Sequence, residues 1–280
     1  MSLFIASLNS GSNGNCYYIG NDNEAVLIDA GISCREIEKR MKRLGLSIGK
    51  VKAIFVSHEH TDHISGIPVL ASKYQVPVYI TKDTFLHGGI ELEEHLLMPF
   101  NGDQSINIGN LVINAFTKLH DAIEPYSFTI SCSGTNVGVF TDIGTPCPNL
   151  IHHFKVCHAA FLEANYDDTM LDQGTYPHYL KNRIRGGKGH LSNKQALDLF
   201  TSHRSSFMTH LLLAHLSKNN NCPDIVYELF TKNATGIKIV IASRYEETGV
   251  YHIHATQKED IPKIKSVKQT VTASQMSFSF

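Results

Sequence analysis

The feature that most constrains this chain is the run HEHTDH at residues 58–63, which follows directly on the apolar segment 51–56. The apolar segment predicts a buried strand, and the carboxyl ends of strands are where α/β folds place ligand-binding loops. In a chain with 16 histidines, the pattern H-x-H-x-D-H arises by chance with a probability of only about two in a thousand. Four potential ligands in such a short run predict a metal site. The alternative is a polar surface loop or a capped helix start.

Three further candidate ligands each follow an apolar segment later in the chain, at a predicted strand end. The complete set is His58, His60, Asp62, His63, His120, Asp142 and His215. Imidazole and carboxylate ligation without thiolate suits Zn²⁺, with Mn²⁺ or Fe as alternatives. Two such ions can share a hydroxide whose pKa falls to about 7, which provides a nucleophile at neutral pH. The sequence therefore predicts a hydrolase with two divalent metal ions.

The strand-like and helix-like segments predict a mixed fold of the α/β (α+β) class. Short β-like segments occur between residues 3 and 28 and again between residues 105 and 141. Ser33 and Ser192 each begin a sequence typical of a capping box, which predicts a helix after each, and a further helix is predicted over 64–74. We expect two halves, each made of strands and then helices, packed face to face.

Length and composition are those of an ordinary globular enzyme. The chain has 280 residues, 42% of them hydrophobic, and we expect residues 1–257 to form a single domain. Residues 258–280 are rich in Lys, Thr, Ser and Gln, which predicts a mobile tail. The six cysteines form no C-x-x-C pair, the N-terminus has no charged region before a long apolar run, and no segment is apolar enough to span a membrane. We therefore expect a cytoplasmic protein.

The candidate ligands, taken in order, resemble the motifs of the metallo-β-lactamase superfamily, and the resemblance extends to about residue 255. It implies a four-layer αβ/βα sandwich with two metals at one rim. It also implies that one metal is bound by His58, His60 and His120, that the other is bound by Asp62, His63 and His215, and that Asp142 bridges the two. Asp29 matches the first motif of the superfamily, which usually supports the ligands and does not bind metal itself.

Three residues are the catalytic candidates: Asp62, His190 and Glu163. An aspartate at position 62 is typical of the phosphodiesterase and thioesterase branches and not of the lactamases that use Cys. His190 resembles the additional catalytic histidine of the tRNA 3′-end nucleases, which implies that it protonates the leaving alkoxide, and Glu163 resembles the glutamate that pairs with it. The structural alternatives are that His190 only extends the first turn of a helix and that Glu163 is a solvated loop carboxylate.

The number of residues between the candidate ligands excludes two branches of the superfamily. Asp142 follows His120 by 22 residues and His215 follows Asp142 by 73, which leaves no room for the tRNA-gripping arm of the tRNA 3′-end nucleases or for the extra domain of the mRNA-processing branch. The motifs GSNGNC, HDA, TDIG, GHLSN and HLS occur in the order typical of the WalJ (YycJ) group of bacterial exonucleases. That resemblance implies a metal-dependent nuclease that degrades DNA from a 5′ end.

The overall charge does not itself favour a nucleic acid, because the formal net charge is -1. Locally, Arg183, Arg185 and Lys188 surround a glycine-rich segment and predict a flexible cationic loop that can approach phosphates. Asn13 lies in a turn whose backbone N–H groups can cradle an anion. A solvated glycine loop and a simple hairpin turn are the alternatives.

Two other functions fit the same ligand set. One is a small-molecule phosphodiesterase or thioesterase that uses the same site. The other is a non-enzymatic adaptor whose metal centre is structural, although structural zinc sites are usually mononuclear and rich in Cys.

The C-terminal sequence QMSFSF resembles the short peptides with which bacterial DNA enzymes bind the sliding clamp of the replicase. Gln275 and Met276 would begin the peptide, and Phe278 and Phe280 would fill an apolar pocket of the clamp. The alternative is that the two phenylalanines pack back onto the domain.

Overall fold

The strands of the protein form two seven-stranded sheets, in a computed structural model that describes residues 2–102 and 105–255. Sheet A contains, in spatial order, β14 (Tyr251–Ile253), β1 (Leu3–Asn9), β2 (Cys16–Gly20), β3 (Ala25–Ile28), β4 (Val51–Phe55), β5 (Val78–Ile80) and β6 (Leu97–Pro99). Sheet B contains β13 (Lys238–Ile241), β12 (His210–Ala214), β11 (Ala159–Glu163), β10 (Thr135–Phe140), β9 (Tyr126–Cys132), β8 (Leu111–Thr117) and β7 (Ser105–Ile108).

The two sheets share one strand plan. In sheet A, β1, β2 and β3 pair antiparallel, and β4, β5 and β6 then continue parallel to β3. In sheet B, β8, β9 and β10 pair antiparallel, and β11, β12 and β13 continue parallel to β10. Parallel neighbours need a crossover connection, which is usually helical. The carboxyl ends of the parallel strands in each sheet therefore lie along a single edge.

The helices follow strands of both sheets and connect parallel neighbours. Those that follow strands of sheet A are α1 (Cys34–Arg43), α2 (Thr61–Ile64), α3 (Ile67–Tyr74) and α4 (Lys82–Gly88). Those that follow strands of sheet B are α5 (Pro148–Phe154), α6 (Asp168–Gln173), α7 (His178–Arg185), α8 (Asn193–His203) and α9 (Pro223–Thr231). No helix in the described ranges is long and apolar enough to cross a membrane.

Three apolar layers hold these elements together. Phe55 and Phe128 meet at a centroid distance of 5.8 Å in the layer between the two sheets. Ile37 and Leu70 belong to the layer between sheet A and its helices, and Phe200 belongs to the layer between sheet B and its helices. The order of layers is helix, sheet, sheet, helix, so the predicted αβ/βα sandwich is confirmed.

The helix predicted over 64–74 is wrong in its first residues, because the chain breaks into α2 and α3 at Ser65 and Gly66. Gly66 donates its N–H to the carbonyl of Ala30, at 2.8 Å. A Cβ atom on Gly66 would lie 1.9 Å from the carbonyl oxygen of Ile32, so only glycine permits this close approach. The break keeps α2, which carries part of the HEHTDH run, tied to the chain that follows β3.

The capping predictions have different outcomes at the two serines. The Ser192 and Gln195 side chains each bond the backbone N–H of the other, which is a complete capping box. The Ser33 side chain accepts from the N–H of Glu36, but the Glu36 carboxylate pairs instead with Lys39 and Arg40.

The sequence did not predict several elements of the structure, among them β11 and α7. The predicted clamp-binding residues Gln275, Met276, Phe278 and Phe280 lie outside the described residues, so their role stays a prediction.

The loop after β3 is fixed by backbone contacts that tolerate only glycine at position 31. The Gly31 N–H bonds the carbonyl of Asn15 at 2.8 Å, and the Asn15 N–H bonds the carbonyl of Asp62 at 2.7 Å. A Cβ atom on Gly31 would lie 1.7 Å from that Asp62 oxygen. Gly31→Ala is therefore expected to lower the free energy of unfolding by about 3 kcal/mol, measured by urea denaturation.

The matched control is Gly49→Ala, because the nearest atom to a Cβ at Gly49 is Ser47 Oγ at 3.6 Å. This control is expected to change the free energy of unfolding by less than about 0.5 kcal/mol. Equal stability of the two variants would contradict the packing described for Gly31.

Candidate metal centre

Strand ends from both sheets meet at one rim and carry the candidate side chains. They are the ends of β3 and β4 in sheet A and of β8, β10, β11 and β12 in sheet B. Asp29, Asp142 and His215 follow three of these strands and have φ angles of 60°, 56° and 56°. Residues other than glycine rarely adopt this left-handed conformation, so surrounding contacts must hold them in it. Such strained positions cluster at functional sites.

Three imidazoles form one group at the rim. The Nε2 atom of His58 lies 3.0 Å from Nδ1 of His60. The His120 ring lies 5.0 Å from the His58 ring and 5.2 Å from the His60 ring, measured between centroids. One ligand atom from each residue lies within 4.8 Å of the others, so the three side chains can hold one metal ion.

A second group contains Asp62, His63 and His215. The Oδ2 atom of Asp62 lies 3.6 Å from Nε2 of His63 and 3.6 Å from Nε2 of His215. Asp142 reaches both groups, because its Oδ2 lies 3.2 Å from His63 Nε2 and its Oδ1 lies 3.8 Å from His120 Nε2. All seven predicted ligands are therefore brought together, with the Asp142 carboxylate between the two groups.

The donor atoms of this cluster fit divalent metal ions. Among the described residues, His120 Nε2, His215 Nε2 and Asp142 Oδ2 are buried and have no hydrogen-bond partner of acceptable geometry. Buried polar atoms normally have such a partner, because leaving one unsatisfied costs free energy. Metal ions held by the two groups would satisfy all three. The nitrogen and oxygen donors, without thiolate, suit Zn²⁺, Mn²⁺ or Fe.

Asp29 supports the cluster from sheet A without joining it. Its Oδ2 atom lies 2.7 Å from His63 Nδ1 and accepts a hydrogen bond from the Ser57 hydroxyl at 2.8 Å. Its Oδ1 atom accepts from the Ser57 N–H at 2.8 Å. With Nδ1 of His63 engaged in this way, Nε2 is the nitrogen that faces the site.

Glu163 has the corresponding position in sheet B and binds two histidines. Its Oε1 atom lies 2.8 Å from His190 Nδ1 and 2.9 Å from His215 Nδ1. Its Oε2 atom accepts from the N–H groups of Ile143 and Leu191 at 2.7 and 3.2 Å. Glu163 is the last residue of β11 and is fully buried, so it is not a solvated loop carboxylate.

Burial and the crowded carboxylates shift the pKa values of the imidazoles in opposite directions. For His63, burial favours the neutral ring, but Asp142, Asp29 and Asp62 outweigh it and raise the pKa to about 10. For His215, burial again favours the neutral ring, but nearby carboxylates, above all Asp142, outweigh it and hold the pKa well above the usual range. For His58 and His120 burial dominates, which holds the pKa of His58 well below its usual range and lowers that of His120 to about 4.

The carboxylates that face these rings stay ionised. For Glu163, burial disfavours the charged form, but His190 and His215 outweigh it and lower the pKa to about 2. Burial also disfavours the charged form of Asp62, but nearby histidines, above all His63, outweigh it and lower the pKa of Asp62 to about 2. Both groups are therefore anionic near neutral pH, as metal ligands and their supports must be.

Four polar residues of the site were not among the predicted site residues: Asn15, Ser57, Lys118 and Asn165. Asn15 Nδ2 lies 3.1 Å from His63 Nε2, and Asn165 Nδ2 donates to the His215 carbonyl at 2.8 Å. Lys118 is buried and donates to the carbonyl of Thr141 at 2.7 Å, close to Asp142. The sequence does contain a signal for Lys118, because it is a lysine at the end of an apolar segment, two residues before His120.

The cluster opens into a cavity of about 290 Å³. Its walls include Ser12, Asp121, Leu180, Arg183 and Ile184, together with His190 and ligands of the cluster. Leu180, Arg183 and Ile184 all lie on α7, so this helix covers one side of the cavity. In α7 no residue is buried, so it lacks the buried apolar stripe that would have predicted it from sequence.

The predicted substrate-binding residues separate into two sets. Arg183 lines the cavity and makes an ion pair with Asp121 at 2.5 Å. Arg185 pairs with Asp172 outside the cavity, and Lys188 does not line it. The prediction of one flexible cationic loop is wrong, because Arg183 and Arg185 form the last turn of α7. Asn13 donates to the carbonyl of Arg244 at 2.8 Å, so Ser12 is the residue of its turn that lines the cavity.

Comparison with known proteins identifies relatives that cover most of the chain. Residues 10–138 match the family model described as the metallo-beta-lactamase superfamily. The chain is 31% identical to the exodeoxyribonuclease YycJ of Bacillus anthracis in an alignment 280 residues long, which covers 95% of this chain and 100% of that protein. It is 28% identical to the exodeoxyribonuclease WalJ of Streptococcus pneumoniae over 228 residues, which cover 79% of this chain and 84% of that protein.

Solved structures show the same fold. The metallo-beta-lactamase fold protein YhfI from Bacillus subtilis superposes with a TM-score of 0.70 at 18% identity, covering 90% of this chain and 100% of that one. The short form of human tRNase Z superposes with a TM-score of 0.60 at 17% identity, covering 89% of this chain and 99% of that one. At these identities the likeness concerns the fold alone.

Metal loading of the metal-free protein is expected to release protons at about pH 7.5. His63, with a pKa of about 10, is protonated at that pH, whereas a metal ligand must be a neutral imidazole. As pH rises toward 10 this competition disappears, so the apparent affinity for Zn²⁺ is expected to rise with pH. Calorimetric titration in two buffers of different ionisation enthalpy measures the released protons. Proton uptake, or an affinity independent of pH, would contradict this electrostatic account.

Proposed function

Because this chain belongs to the metallo-β-lactamase superfamily and is a metal-dependent hydrolase of ester bonds, we propose that it is an exodeoxyribonuclease that degrades DNA from a 5′ end. The observation that carries the proposal is the contact between His190 and Glu163 at the cavity, because it offers a proton donor for an alkoxide leaving group. The two relatives named exodeoxyribonuclease support DNA as the substrate.

The proposed ligands form two groups that share one carboxylate. One ion would be held by His58, His60 and His120, and the other by Asp62, His63 and His215, with Asp142 bridging them. The chemistry available from two divalent ions in such a site is activation of water near neutral pH and neutralisation of phosphodiester charge. Zn²⁺ fits the donor set, with Mn²⁺ or Fe as alternatives.

His190 is proposed to donate a proton to the leaving oxygen as the P–O bond breaks. Its Nδ1 atom faces Glu163, so Nε2 is the nitrogen left for the substrate. The side chain is 22% exposed and lines the cavity, whereas Glu163 behind it is fully buried. The attacking water forms the new P–O bond. One of its two protons restores the proton that His190 gave to the leaving oxygen, and the other stays on the product phosphate or passes to solvent. Transfers of this kind contribute about 10²- to 10⁴-fold to a rate.

Glu163 is proposed to position His190 as the proton donor, through the contact between its Oε1 atom and His190 Nδ1. The carboxylate is anionic, because its pKa is lowered to about 2 against the opposing effect of burial. A carboxylate that contacts Nδ1 in this way fixes the orientation of the ring. Because the same Oε1 atom contacts His215, the proton donor and one proposed metal ligand are aligned by a single side chain.

Arg183 is proposed to bind a phosphate of the substrate. Its guanidinium lies at the cavity wall, 62% exposed, and pairs with Asp121, which also lines the cavity. A phosphodiester that enters the cavity can replace Asp121 as the partner of Arg183. The near-zero net charge of the chain is compatible with this arrangement, since the attraction is local.

The geometry favours phosphodiester cleavage over thioester cleavage and over a structural metal centre. A thiolate leaves without protonation at neutral pH, so a thioesterase has little need for a proton donor supported by Glu163. A structural metal centre is usually closed, whereas this cluster opens into a cavity of about 290 Å³. A small-molecule phosphodiesterase uses the same chemistry and differs only in substrate.

His190→Ala is expected to lower kcat for DNA by at least about 100-fold. Its effect on bis-p-nitrophenyl phosphate is expected to be less than about tenfold, because nitrophenolate leaves without a proton. The measurement is steady-state hydrolysis of both substrates by the metal-loaded protein. The control is His87→Ala, which removes an exposed histidine of α4 and leaves both rates unchanged. Equal losses on the two substrates would remove His190 from the role of proton donor.

The proposed function is tested directly with duplex DNA that carries a label at the 5′ or at the 3′ end. The metal-loaded protein is expected to release a labelled mononucleotide or short fragment early from the 5′-labelled strand and to shorten the 3′-labelled strand progressively. Asp62→Ala is expected to abolish both, because it removes a ligand of the second group. Hydrolysis of bis-p-nitrophenyl phosphate without any cleavage of DNA would instead support the small-molecule alternative.

A further inference from the structure

A second cavity borders residues 10–15, here called the N-terminal turn, which also contribute to the cavity of the metal centre. It has a volume of about 380 Å³ and lies between the loops that follow β12 and β13. Its apolar lining comes from Leu216, Pro223, Ile241 and Ala242. Its polar lining includes Ser10, Ser217, Lys218, Asn221, Arg244 and Glu246. The combination of an apolar floor with a few polar groups is typical of a ligand site.

Two cations of this cavity lack acidic partners in the part of the chain that the structure describes. Arg244 Nη1 is enclosed yet has no hydrogen-bond partner, and neither Arg244 nor Lys218 forms an ion pair. Glu246 is the acidic side chain among the lining residues, and it is exposed. An enclosed guanidinium nitrogen without an acceptor costs free energy, which an anionic ligand would recover.

An aromatic ring stands beside these cations. Tyr245 is 68% exposed, and its ring centroid lies 6.0 Å from the guanidinium carbon of Arg244. The backbone on either side is fixed, because Arg40 donates to the carbonyl of Tyr245 at 3.0 Å and Asn13 donates to the carbonyl of Arg244 at 2.8 Å. The exposed ring is therefore carried by an anchored segment and can stack against a planar ligand.

The cavity and the metal centre share a wall. Ser10 lines the second cavity, and its hydroxyl accepts from the N–H of His215 at 2.7 Å. Leu216 lines the same cavity and directly follows His215 in the chain. Two residues after Ser10, Ser12 lines the cavity of the metal centre. A chain-like substrate bound at the metal centre thus needs to pass only this short turn to enter the second cavity.

We propose that this second cavity binds one nucleotide of the DNA strand next to the scissile bond. Its phosphate would contact Arg244 and Lys218, its base would stack on Tyr245, and its sugar would lie on the apolar floor. The proposal rests on the proposed nuclease function and extends it, because it gives the substrate strand a second point of attachment beyond Arg183.

The test compares a substrate that reaches both cavities with one that reaches only the metal centre. The variants are Tyr245→Ala and Lys218→Ala, both at exposed positions. For a single-stranded oligonucleotide, each is expected to raise KM by at least about fivefold, because a stacked base or a phosphate contact is lost. For bis-p-nitrophenyl phosphate, which is too short to reach the second cavity, kcat/KM is expected to stay within about twofold of the wild-type value.

Matched controls are available on α9 and at its C-terminal end. Tyr227→Ala removes an exposed tyrosine, and Lys232→Ala removes an exposed lysine that follows the helix. Neither residue lines the second cavity or the metal-site cavity, so both controls are expected to keep the wild-type KM for the oligonucleotide. Thermal unfolding of every variant identifies any loss caused by misfolding.

Binding measured without cleavage separates this inference from the proposed function. In EDTA, fluorescence anisotropy of a labelled oligonucleotide is expected to show weaker binding to Tyr245→Ala and Lys218→Ala than to the wild-type protein and the controls. This result would support nucleotide binding in the second cavity even if the protein cleaved no DNA. The absence of cleavage would count against the proposed nuclease function alone. Unchanged binding and KM in both variants, or equal losses on the oligonucleotide and the small diester, would overturn the proposal.

Discussion

The metal centre depends on one type of interaction, in which a buried carboxylate contacts Nδ1 of a histidine and leaves Nε2 on the other side of the ring. Asp29 does this for His63 at 2.7 Å, and Glu163 does it for His215 and His190 at 2.9 and 2.8 Å. Both carboxylates are fully buried, which is costly unless each charge is paired and hydrogen-bonded. The pairing turns Nε2 of each ring toward the rim, where metal ligands are needed.

These two supports come from different sheets, so the site exists only when the sheets pack together. Asp29 follows β3 in sheet A, whereas Glu163 ends β11 in sheet B. The aromatic contact between Phe55 and Phe128 belongs to the layer that joins the sheets. Asp142, from sheet B, then reaches His63 of sheet A across the rim. The left-handed backbone at Asp29, Asp142 and His215 is maintained because each residue is also held by contacts from elsewhere in the chain.

The part of this arrangement that could be predicted from sequence is the part encoded locally. The HEHTDH run is contiguous, and His120, Asp142 and His215 each follow an apolar segment, so strand ends alone suggested that they meet. The position of Asn15 beside His63 could not be predicted in this way, because it depends on backbone pairing between residues far apart in sequence. Arg183 was expected in a loop for a related reason, since α7 rests on the rim with no residue buried. Arg244 and Tyr245 likewise become a site only when the loop after β13 meets the N-terminal turn.

The proposed chemistry depends most on two metal ions being bound at the rim. Anomalous X-ray diffraction at the zinc edge, on crystals of the zinc-loaded protein, tests it directly. Two anomalous peaks are expected, one among His58, His60 and His120 and the other among Asp62, His63 and His215, with the Asp142 carboxylate between them. A single peak at the rim, or peaks held by residues outside these groups, would contradict it.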